Sequence, residues 1–257
     1  MSAAQAIAGR HALVTGGGSG VGKAIALALA EAGVTVSICG RREAALAEVA
    51  MESDRIFGIA ADVTNEAAMA GLHEKAEAAH GPFDIVVANA GMAASAPAHK
   101  TSLADWQRTL DVNLTGAFLT VKPALAGMLA RKRGRIVFIA STAGLKGYTY
   151  VAPYVAAKHG VVGLMRALAA ETAKSGITVN AVCPGFVETD MLEESVRRIV
   201  EKTGRSADDA RASLAVTNPQ GRFIQPKEIA AAVLWLCSDA ARSITGQAIS
   251  VSGGETW

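Results

Sequence analysis

The feature that most constrains the fold is a regular alternation of short β-rich runs with segments of helical composition. Strands that alternate with helices indicate βαβ units and a parallel sheet covered on both faces. The run 136–140 is apolar throughout, as expected of a strand buried on both sides. The predicted strands are His11–Thr15, Val34–Cys39, Arg55–Ala61, Asp84–Asn89, Arg135–Ser141, Thr178–Cys183 and Ala248–Val251. The predicted helices are Gly22–Ala32, Glu43–Ala50, Glu66–His80, Leu103–Ala130, Ala152–Lys174 and Lys227–Ser238. The sequence therefore predicts one α/β domain over 1–257, a doubly wound (Rossmann) parallel sheet of about seven strands.

Charge and composition exclude several classes of partner. The formal net charge is only +2 and no basic block tracks a phosphate backbone, so we expect no nucleic-acid partner. No stretch of about 18 unbroken apolar residues occurs, and 1–9 lacks the pattern of a signal peptide, so we expect no membrane and a cytoplasmic protein. The three cysteines are scattered in apolar runs, which is typical of buried free thiols, and neither they nor the five histidines have metal-ligand spacing. No metal is expected.

One segment interrupts the alternation. About forty residues between Pro184 and Pro226 carry no strand signal and are rich in charge. The stretches Asp190–Lys202 and Asp208–Leu214 have helical patterns. A long insertion after the carboxyl end of a strand is where a substrate lid would lie, so 188–216 is predicted to be a helical lid. A surface insertion without function is the alternative.

A glycine-rich turn follows the first predicted strand and opens the first helix. Its spacing is Thr-Gly-x-x-x-Gly-x-Gly, from Thr15 to Gly22. Glycines allow the backbone to approach a pyrophosphate, and the amides at a helix N-terminus attract its charge. The turn therefore predicts a dinucleotide site. Its binding residues are Gly16, Gly18, Ser19, Gly20, Val21 and Gly22.

The end of the second strand bears on the choice of dinucleotide. A carboxylate there would bind the ribose 2′-hydroxyl and select NAD. The sequence instead has Gly40 followed by Arg41 and Arg42, whose guanidinium groups can hold a 2′-phosphate. We therefore favour NADP(H) over NAD(H), while two arginines that simply begin the next helix in solvent remain the alternative.

Tyr154 and Lys158 are four residues apart near the start of a predicted helix, so they share one face. A phenol has a pKa near 10 and is a poor acid–base catalyst at neutral pH. A nearby ammonium group, together with an oxidised nicotinamide, is expected to lower that pKa. The pair predicts proton transfer to or from a substrate oxygen.

Several motifs follow one another along the chain: the glycine turn, Asn89-Ala90-Gly91, Asn113, Ser141, the Tyr154/Lys158 pair and Pro184-Gly185. In combination they resemble the short-chain dehydrogenase/reductase family over nearly the whole chain. The resemblance implies that Tyr154 is the general acid/base and that Lys158 binds the nicotinamide ribose. It implies that Ser141 hydrogen-bonds the substrate oxygen and that Asn113 stabilises a helix distortion and a relay water. The pattern is most similar to 3-oxoacyl-(acyl-carrier-protein) and polyketide ketoreductases and to general secondary-alcohol dehydrogenases.

The same resemblance implies further cofactor contacts. Asp62 and Val63 would contact the adenine, and Asn89, Ala90 and Gly91 would support the central strand and the adenosine. Ala88 departs from the more usual asparagine, which affects only a supporting contact. The nicotinamide carboxamide would be bound by the segment containing Pro184, Gly185, Val187 and Thr189.

The expected reaction is reversible hydride transfer between a nicotinamide and a small-molecule carbonyl or secondary alcohol. A 3-oxoacyl thioester of coenzyme A or a carrier protein is one candidate substrate, and the basic run 131–133 could steer such an acidic partner. A solvated helix end is the preferred interpretation of that run. Three alternatives remain: an NAD(H)-dependent alcohol or hydroxyacyl dehydrogenase working oxidatively, a dinucleotide sensor without turnover, and a sugar-nucleotide epimerase or dehydratase.

Several other residues carry weaker expectations. The helix after Tyr154 and the helix 110–129 are apolar on most sides, which predicts helix-to-helix dimerisation, and the resemblance extends this to a homotetramer. Tyr148 and Tyr150 either line the pocket or form a surface turn. His159 is expected to be a packing residue, and Trp106 and Trp235 are expected to be core or interface anchors.

Overall fold

The structure, a computed structural model that describes residues 7 and 9–256, contains all seven predicted strands. The segment 1–9, for which the sequence predicts no signal peptide, falls largely outside the described residues. The strands are β1 (His11–Thr15), β2 (Thr35–Gly40), β3 (Ile56–Ala60), β4 (Ile85–Ala88), β5 (Gly134–Ile139), β6 (Ile177–Pro184) and β7 (Ala248–Val251). They form one parallel sheet in the order β3-β2-β1-β4-β5-β6-β7. The doubly wound fold is confirmed.

Helices cover both faces of this sheet. They are α1 (Gly20–Glu31), α2 (Glu43–Ala50), α3 (Glu66–His80), α4 (Leu103–Leu110), α5 (Gly116–Arg131), α6 (Ala152–Thr172), α7 (Asp190–Thr203), α8 (Ala207–Ala215) and α9 (Pro226–Cys237). One apolar core joins α3, α5 and α6 to one face of the sheet, and a second joins α1, α2 and α9 to the other. Both faces of the central strands are therefore buried, which explains their continuous apolar runs.

Strand β1 pairs with β2 on one side and with β4 on the other. The chain therefore winds in opposite directions from β1, and a crevice opens at the carboxyl ends of β1 and β4 where the direction changes. Asn89, directly after β4, bridges this point: its Nδ2 donates to the Thr15 carbonyl at 2.8 Å and its backbone N–H donates to the Thr15 hydroxyl at 3.1 Å. The glycine turn is thus fixed against the end of β4.

The long predicted helix Leu103–Ala130 is interrupted. A π-helical turn at Asp111–Thr115 separates α4 from α5, so the helix distortion implied at Asn113 is present.

By length and composition alone, the run Leu103–Arg131 could cross a membrane, with a mean hydropathy of 1.2 over an 18-residue window of which 44% is buried. Core helices of soluble proteins meet the same criterion, and α5 packs on α3 and the sheet, so this is weak evidence for a span.

The segment predicted to be a lid contains α7 and α8, which pack on each other. Two buried side chains of α7, Leu192 and Val196, anchor it, while most of the remaining α7 surface is polar. The Ser206 hydroxyl caps α8 by accepting from the Asp209 N–H at 3.1 Å. Both helices lie beyond the carboxyl end of β6, on the same edge of the sheet as the glycine turn.

Candidate active site

The glycine turn after β1 has the backbone conformation that its sequence predicts. Gly16 and Gly20 have φ angles of 67° and 53°, which residues other than glycine rarely adopt. At Gly22 an added Cβ would lie 2.2 Å from the Gly16 carbonyl oxygen and 2.5 Å from Asn89 Nδ2. Gly16 and Gly20 therefore serve the turn, and Gly22 allows α1 to pack closely against it.

The N-terminus of α1 has no side-chain cap. Ser19 occupies the cap position but accepts no bond there, and the first turn holds no acidic residue. The first amides of a helix need acceptors, and together with the helix dipole they attract an anion. Ser19, Gly20 and Val21 line a large cavity, so the pyrophosphate of a dinucleotide fits these uncapped amides.

The cavity extends from α1 across the carboxyl edge of the sheet to α7 and α8, with a volume of about 960 Å³. Most residues predicted to bind cofactor or substrate line it: Gly16, Ser19, Gly20, Val21, Gly22, Asn89, Ala90, Gly91, Ser141, Tyr154, Lys158, Pro184, Gly185, Val187 and Thr189. Six predicted residues do not line it: Gly18, Arg41, Arg42, Asp62, Val63 and Asn113. Four of these six, namely Arg41, Arg42, Asp62 and Val63, belong to the expected adenosine end beside β2 and β3, and Gly18 is part of the glycine turn.

Tyr154 and Lys158 share one face of α6, as their spacing predicts. Lys158 Nζ lies 5.6 Å from the centre of the Tyr154 ring and donates to the Ile139 carbonyl at 2.9 Å. Burial lowers the pKa of Lys158 to about 8. The amine is thus held at the end of β5, beneath the phenol.

In the protein alone the pKa of Tyr154 is shifted upward, whereas the lowering expected from the sequence concerns the site with an oxidised nicotinamide. Burial raises the pKa of this phenol, and the neighbouring Ser141 hydroxyl only partly opposes the shift. Tyr154 is therefore a neutral hydroxyl in the protein alone, ready to donate a proton rather than to accept one.

Ser141 follows the end of β5 and begins a short 3-10 turn over Thr142–Gly144. Its Oγ accepts from the Ala143 N–H at 3.0 Å, which fixes the side chain while leaving its own proton free for another acceptor. The Ser141 and Tyr154 hydroxyls are neighbours within hydrogen-bond reach and both line the cavity, so a carbonyl oxygen bound beside them can accept from both.

Asn113 acts from behind the cavity wall. Its side chain is 1% exposed; Nδ2 donates to the carbonyls of Met92 and Thr109, both at 2.9 Å, and Oδ1 accepts from the Met92 N–H at 3.2 Å. The π-turn is what brings this side chain to Met92, which itself lines the cavity. Asn113 therefore joins the helix distortion to the segment after β4.

At the adenosine end, the Gly17 N–H donates to the Cys39 carbonyl at 3.1 Å, so the glycine turn lies beside the end of β2. Arg41 and Arg42 follow that end and are both exposed. The Asp62 carboxylate accepts from the backbone and hydroxyl of Thr64, and these bonds, with a smaller contribution from Arg41, lower the pKa of Asp62. Arg41 and Asp62 are therefore neighbours.

The segment expected to bind the nicotinamide carboxamide forms the opposite wall. Val187 pairs with Ile224 as an isolated parallel bridge, in which Glu188 N–H and Phe186 C=O make the bonds. The Thr189 hydroxyl donates to the Val187 carbonyl at 3.2 Å, and its methyl lies near Gly20. This wall therefore closes over the start of α1.

A network around Tyr148 was not predicted from the sequence. The Tyr148 hydroxyl donates to Glu255 Oε1 and lies 2.6 Å from Thr142 Oγ1, and Lys146 forms an ion pair with the same carboxylate at 3.1 Å. Glu255 is buried, and a methyl group at Gly185 would come within 3.0 Å of its Oε2. The only sequence signal was a lone acidic residue after the last strand. Tyr148 and Tyr150 both line the cavity.

Other expectations are corrected. His159 is exposed rather than packed, with Nδ1 at 2.9 Å from the Val155 carbonyl one turn earlier. Trp106 and Trp235 are 36% and 42% exposed, so neither is a core residue, and their alternative role as interface anchors stays a prediction.

The basic run 131–133 precedes β5 and so lies at the amino edge of the sheet, away from the cavity. Arg131 donates to the Phe83 carbonyl and Arg133 pairs with Asp84. These contacts do not suit the run for steering a substrate into the cavity.

The family model described as short chain dehydrogenase matches residues 10–199. Acetoacetyl-CoA reductase of Shinella zoogloeoides is 42% identical over 249 residues, which cover 96% of this chain and 98% of the relative. D-beta-hydroxybutyrate dehydrogenase of Cupriavidus necator is 38% identical over 251 residues, with coverage of 96% and 97%. Among solved structures, a variant of actinorhodin polyketide ketoreductase with NADPH has a TM-score of 0.93 and 38% identity, and covers 96% of this chain and 97% of its own.

Proposed function

The chain belongs to the short-chain dehydrogenase family and is an oxidoreductase, and we propose that it interconverts a 3-oxoacyl thioester and the corresponding hydroxyacyl thioester with NADP(H). One observation carries the proposal. Ser141, Tyr154 and Lys158 meet at the same edge of the sheet as the uncapped start of α1, around a cavity that extends to α7 and α8. Relatives named as a ketoreductase, an acetoacetyl-CoA reductase and a hydroxybutyrate dehydrogenase support the substrate class.

The chain's own residues divide the work of reduction. Bound nicotinamide would supply the hydride to the carbonyl carbon. Ser141 donates a hydrogen bond to the carbonyl oxygen, and Tyr154 protonates that oxygen as charge develops on it. The raised pKa of Tyr154 keeps its proton in place until then. Lys158 orients the nicotinamide ribose and, through its charge, stabilises the phenolate that remains.

The test is turnover of acetoacetyl-CoA by Tyr154→Phe with NADPH. Loss of the proton donor should lower kcat by about 10²- to 10⁴-fold, the usual contribution of general acid–base catalysis. The Kd for NADPH, measured by fluorescence, should stay near the wild-type value because the phenyl ring retains the packing. Unchanged kcat would refute the catalytic role of Tyr154, and wild-type turnover of simple ketones but not of thioesters would refute the substrate.

The preference for NADP(H) is supported by Arg41 and Arg42, which are exposed beside the end of β2, where Gly40 supplies no carboxylate. A 2′-phosphate placed there would accept charge-assisted bonds from both guanidinium groups. The double variant Arg41→Ala/Arg42→Ala should raise the KM for NADPH about tenfold or more and leave that for NADH nearly unchanged. Arg55→Ala is the matched control, because Arg55 donates to the Gly33 carbonyl at the opposite edge of the sheet. Equal efficiency of the wild type with both cofactors would refute this preference.

A homotetramer is part of the proposal. The side chains of Trp106, Phe118 and Leu129 along α4 and α5 are each more than a third exposed, as expected of surfaces that a second subunit covers. Light scattering should give a mass near four times 26.3 kDa, and Phe118→Glu should lower it.

We also propose a cytoplasmic location, supported by Cys39, Cys183 and Cys237, which are free and buried.

A further inference from the structure

Three basic side chains lie at the lid end of the cavity. Arg198 and Lys202 are one turn apart on α7, and Arg205 follows directly after the helix ends at Gly204. All three line the cavity. Among the described residues that line it, Asp190 contributes the only carboxylate. This end of the cavity is therefore positive.

The contacts of these cations leave donors for a ligand. Arg198 pairs with Glu194 and donates to the Ala93 carbonyl at 2.9 Å, so it is already engaged on both sides. Lys202 Nζ donates to the Ser95 carbonyl at 3.2 Å, which leaves two of its three protons unused. Within the described part of the chain, neither Lys202 nor Arg205 has a carboxylate oxygen within 4.0 Å.

The lining near the catalytic residues and the lining at the lid differ in chemistry. Ser141 and Tyr154, which would activate a carbonyl, line it at the carboxyl edge of the sheet, and Lys202 and Arg205 line it at the lid. The wall near the lid also carries apolar side chains of α7 and α8, namely Met191, Leu192, Ile199 and Leu214. A matching ligand has a reactive carbonyl at one end, an uncharged chain and an anion at the far end.

We infer that Lys202 and Arg205, supported by Arg198, form a site for the phosphate of a phosphopantetheine arm, the group shared by coenzyme A and acyl carrier proteins. This inference rests on the proposed function, because it concerns the tail of the thioester substrate. The phosphate would accept from the two free cations at the cavity mouth while the acyl group lies between Ser141 and Tyr154. The lid then selects substrates by their phosphorylated tail.

The experiment compares Lys202→Gln/Arg205→Gln with the wild type on three substrates: acetoacetyl-CoA, acetoacetyl-carrier protein and acetoacetyl-pantetheine, which lacks the phosphate. Because the contact is the same in ground and transition states, KM should rise and kcat should stay constant. We expect KM to rise about tenfold for the first two substrates and to stay within about twofold for the third. Added salt should raise the wild-type KM for acetoacetyl-CoA more than that of the double variant.

The matched control is Arg197→Gln, an exposed arginine on the same helix that does not line the cavity; its KM values should equal those of the wild type. An equal rise of KM with acetoacetyl-pantetheine would overturn the phosphate site, as would no rise with acetoacetyl-CoA. A rise confined to acetoacetyl-CoA would also overturn it, because the adenosine phosphates would then be the bound group. Failure of the proposed function is distinct: the wild type would reduce none of the three thioesters.

Discussion

Replacing Asn113 by alanine is the change that most directly tests how the site is held together. Its side chain makes three hydrogen bonds to backbone groups, two to Met92 and one to the Thr109 carbonyl. Each buried group left without a partner costs about 1–3 kcal/mol. Met92 lines the cavity, so water can replace part of its loss, and we take the low end of the range. The expected loss of unfolding free energy is about 3 kcal/mol.

Asn180 offers a matched control in the middle of β6. It is also fully buried; Nδ2 donates to the Ile244 carbonyl at 2.8 Å and Oδ1 accepts from the Gln247 N–H at 3.1 Å. Asn180→Ala should cost about 2 kcal/mol, since two bonds are lost rather than three. Asn180 does not line the cavity, so kcat should be unchanged. Asn113→Ala should lower kcat about tenfold or more, because the segment at Met92 shifts in the active site.

The assay is urea unfolding followed by circular dichroism at one fixed protein concentration, with kcat for acetoacetyl-CoA measured in parallel. Asn113→Asp adds a test of the donor: it keeps the volume but turns an oxygen toward two carbonyls, and it should be at least as destabilising as alanine. Two results would refute the reasoning: an unchanged unfolding free energy in Asn113→Ala, or equal loss of kcat in Asn113→Ala and Asn180→Ala.

Three further changes give separate tests. Gly22→Ala should prevent NADPH binding and lower Tm, because its Cβ would lie 2.2 Å from the Gly16 carbonyl oxygen. In the control Gly71→Ala on α3, the added Cβ meets nothing within 4 Å, so this variant should stabilise the protein by about 0.5–1 kcal/mol. Equal Tm values for the two variants would contradict this reasoning. The Lys158 pKa of about 8 lies below the usual 10.5, so between these pH values the unfolded chain holds a proton that the folded protein has released. Lys158 therefore contributes a rise of the unfolding free energy from pH 8 toward pH 10, while the buried thiols Cys39, Cys183 and Cys237, whose pKa values are raised, contribute a fall. In denaturant titrations the unfolding free energy of the wild type minus that of Lys158→Met should grow over this range; a constant difference would exclude the Lys158 contribution. Gly40→Asp fits the structure, since its Cβ would lie 3.5 Å from the Leu46 side chain. In kinetics with both cofactors, the ratio of kcat/KM for NADH to that for NADPH should increase about tenfold or more, because the new carboxylate would bind the ribose 2′-hydroxyl. An unchanged ratio would mean that the adenosine ribose does not lie beside residue 40.

Much of the fold was predictable because burial on both faces makes each central strand a continuous apolar run. The glycine turn was predictable for a different reason: Gly16 and Gly20 adopt positive φ angles, and Gly22 has no room for a Cβ. The π-turn was implied by family resemblance rather than by residue pattern. Nothing in the apolar periodicity of α4 and α5 marks it, because the distortion is stabilised by Asn113 reaching a distant backbone segment.

The residues that the sequence missed depend on contacts between distant parts of the chain. Glu255 meets Tyr148 across 107 residues, and no local pattern encodes that pairing. The placement of 131–133 could have been recognised, since residues that precede a parallel strand lie at the edge away from the ligand. The raised pKa of Tyr154 in the protein alone was not visible in the sequence, because spacing reveals that Lys158 is near but not how deeply the phenol is buried.

The uncapped start of α1 also bears on how long the protein survives. Without an anion, the first amides of this helix lack acceptors, so α1 should open locally more readily than helices with caps. A dinucleotide at 100 times its Kd adds about 2.7 kcal/mol to the unfolding free energy. The lifetime of the enzyme toward proteases in the cell should therefore follow the dinucleotide pool, and preparations stripped of cofactor should be digested first near residues 16–22.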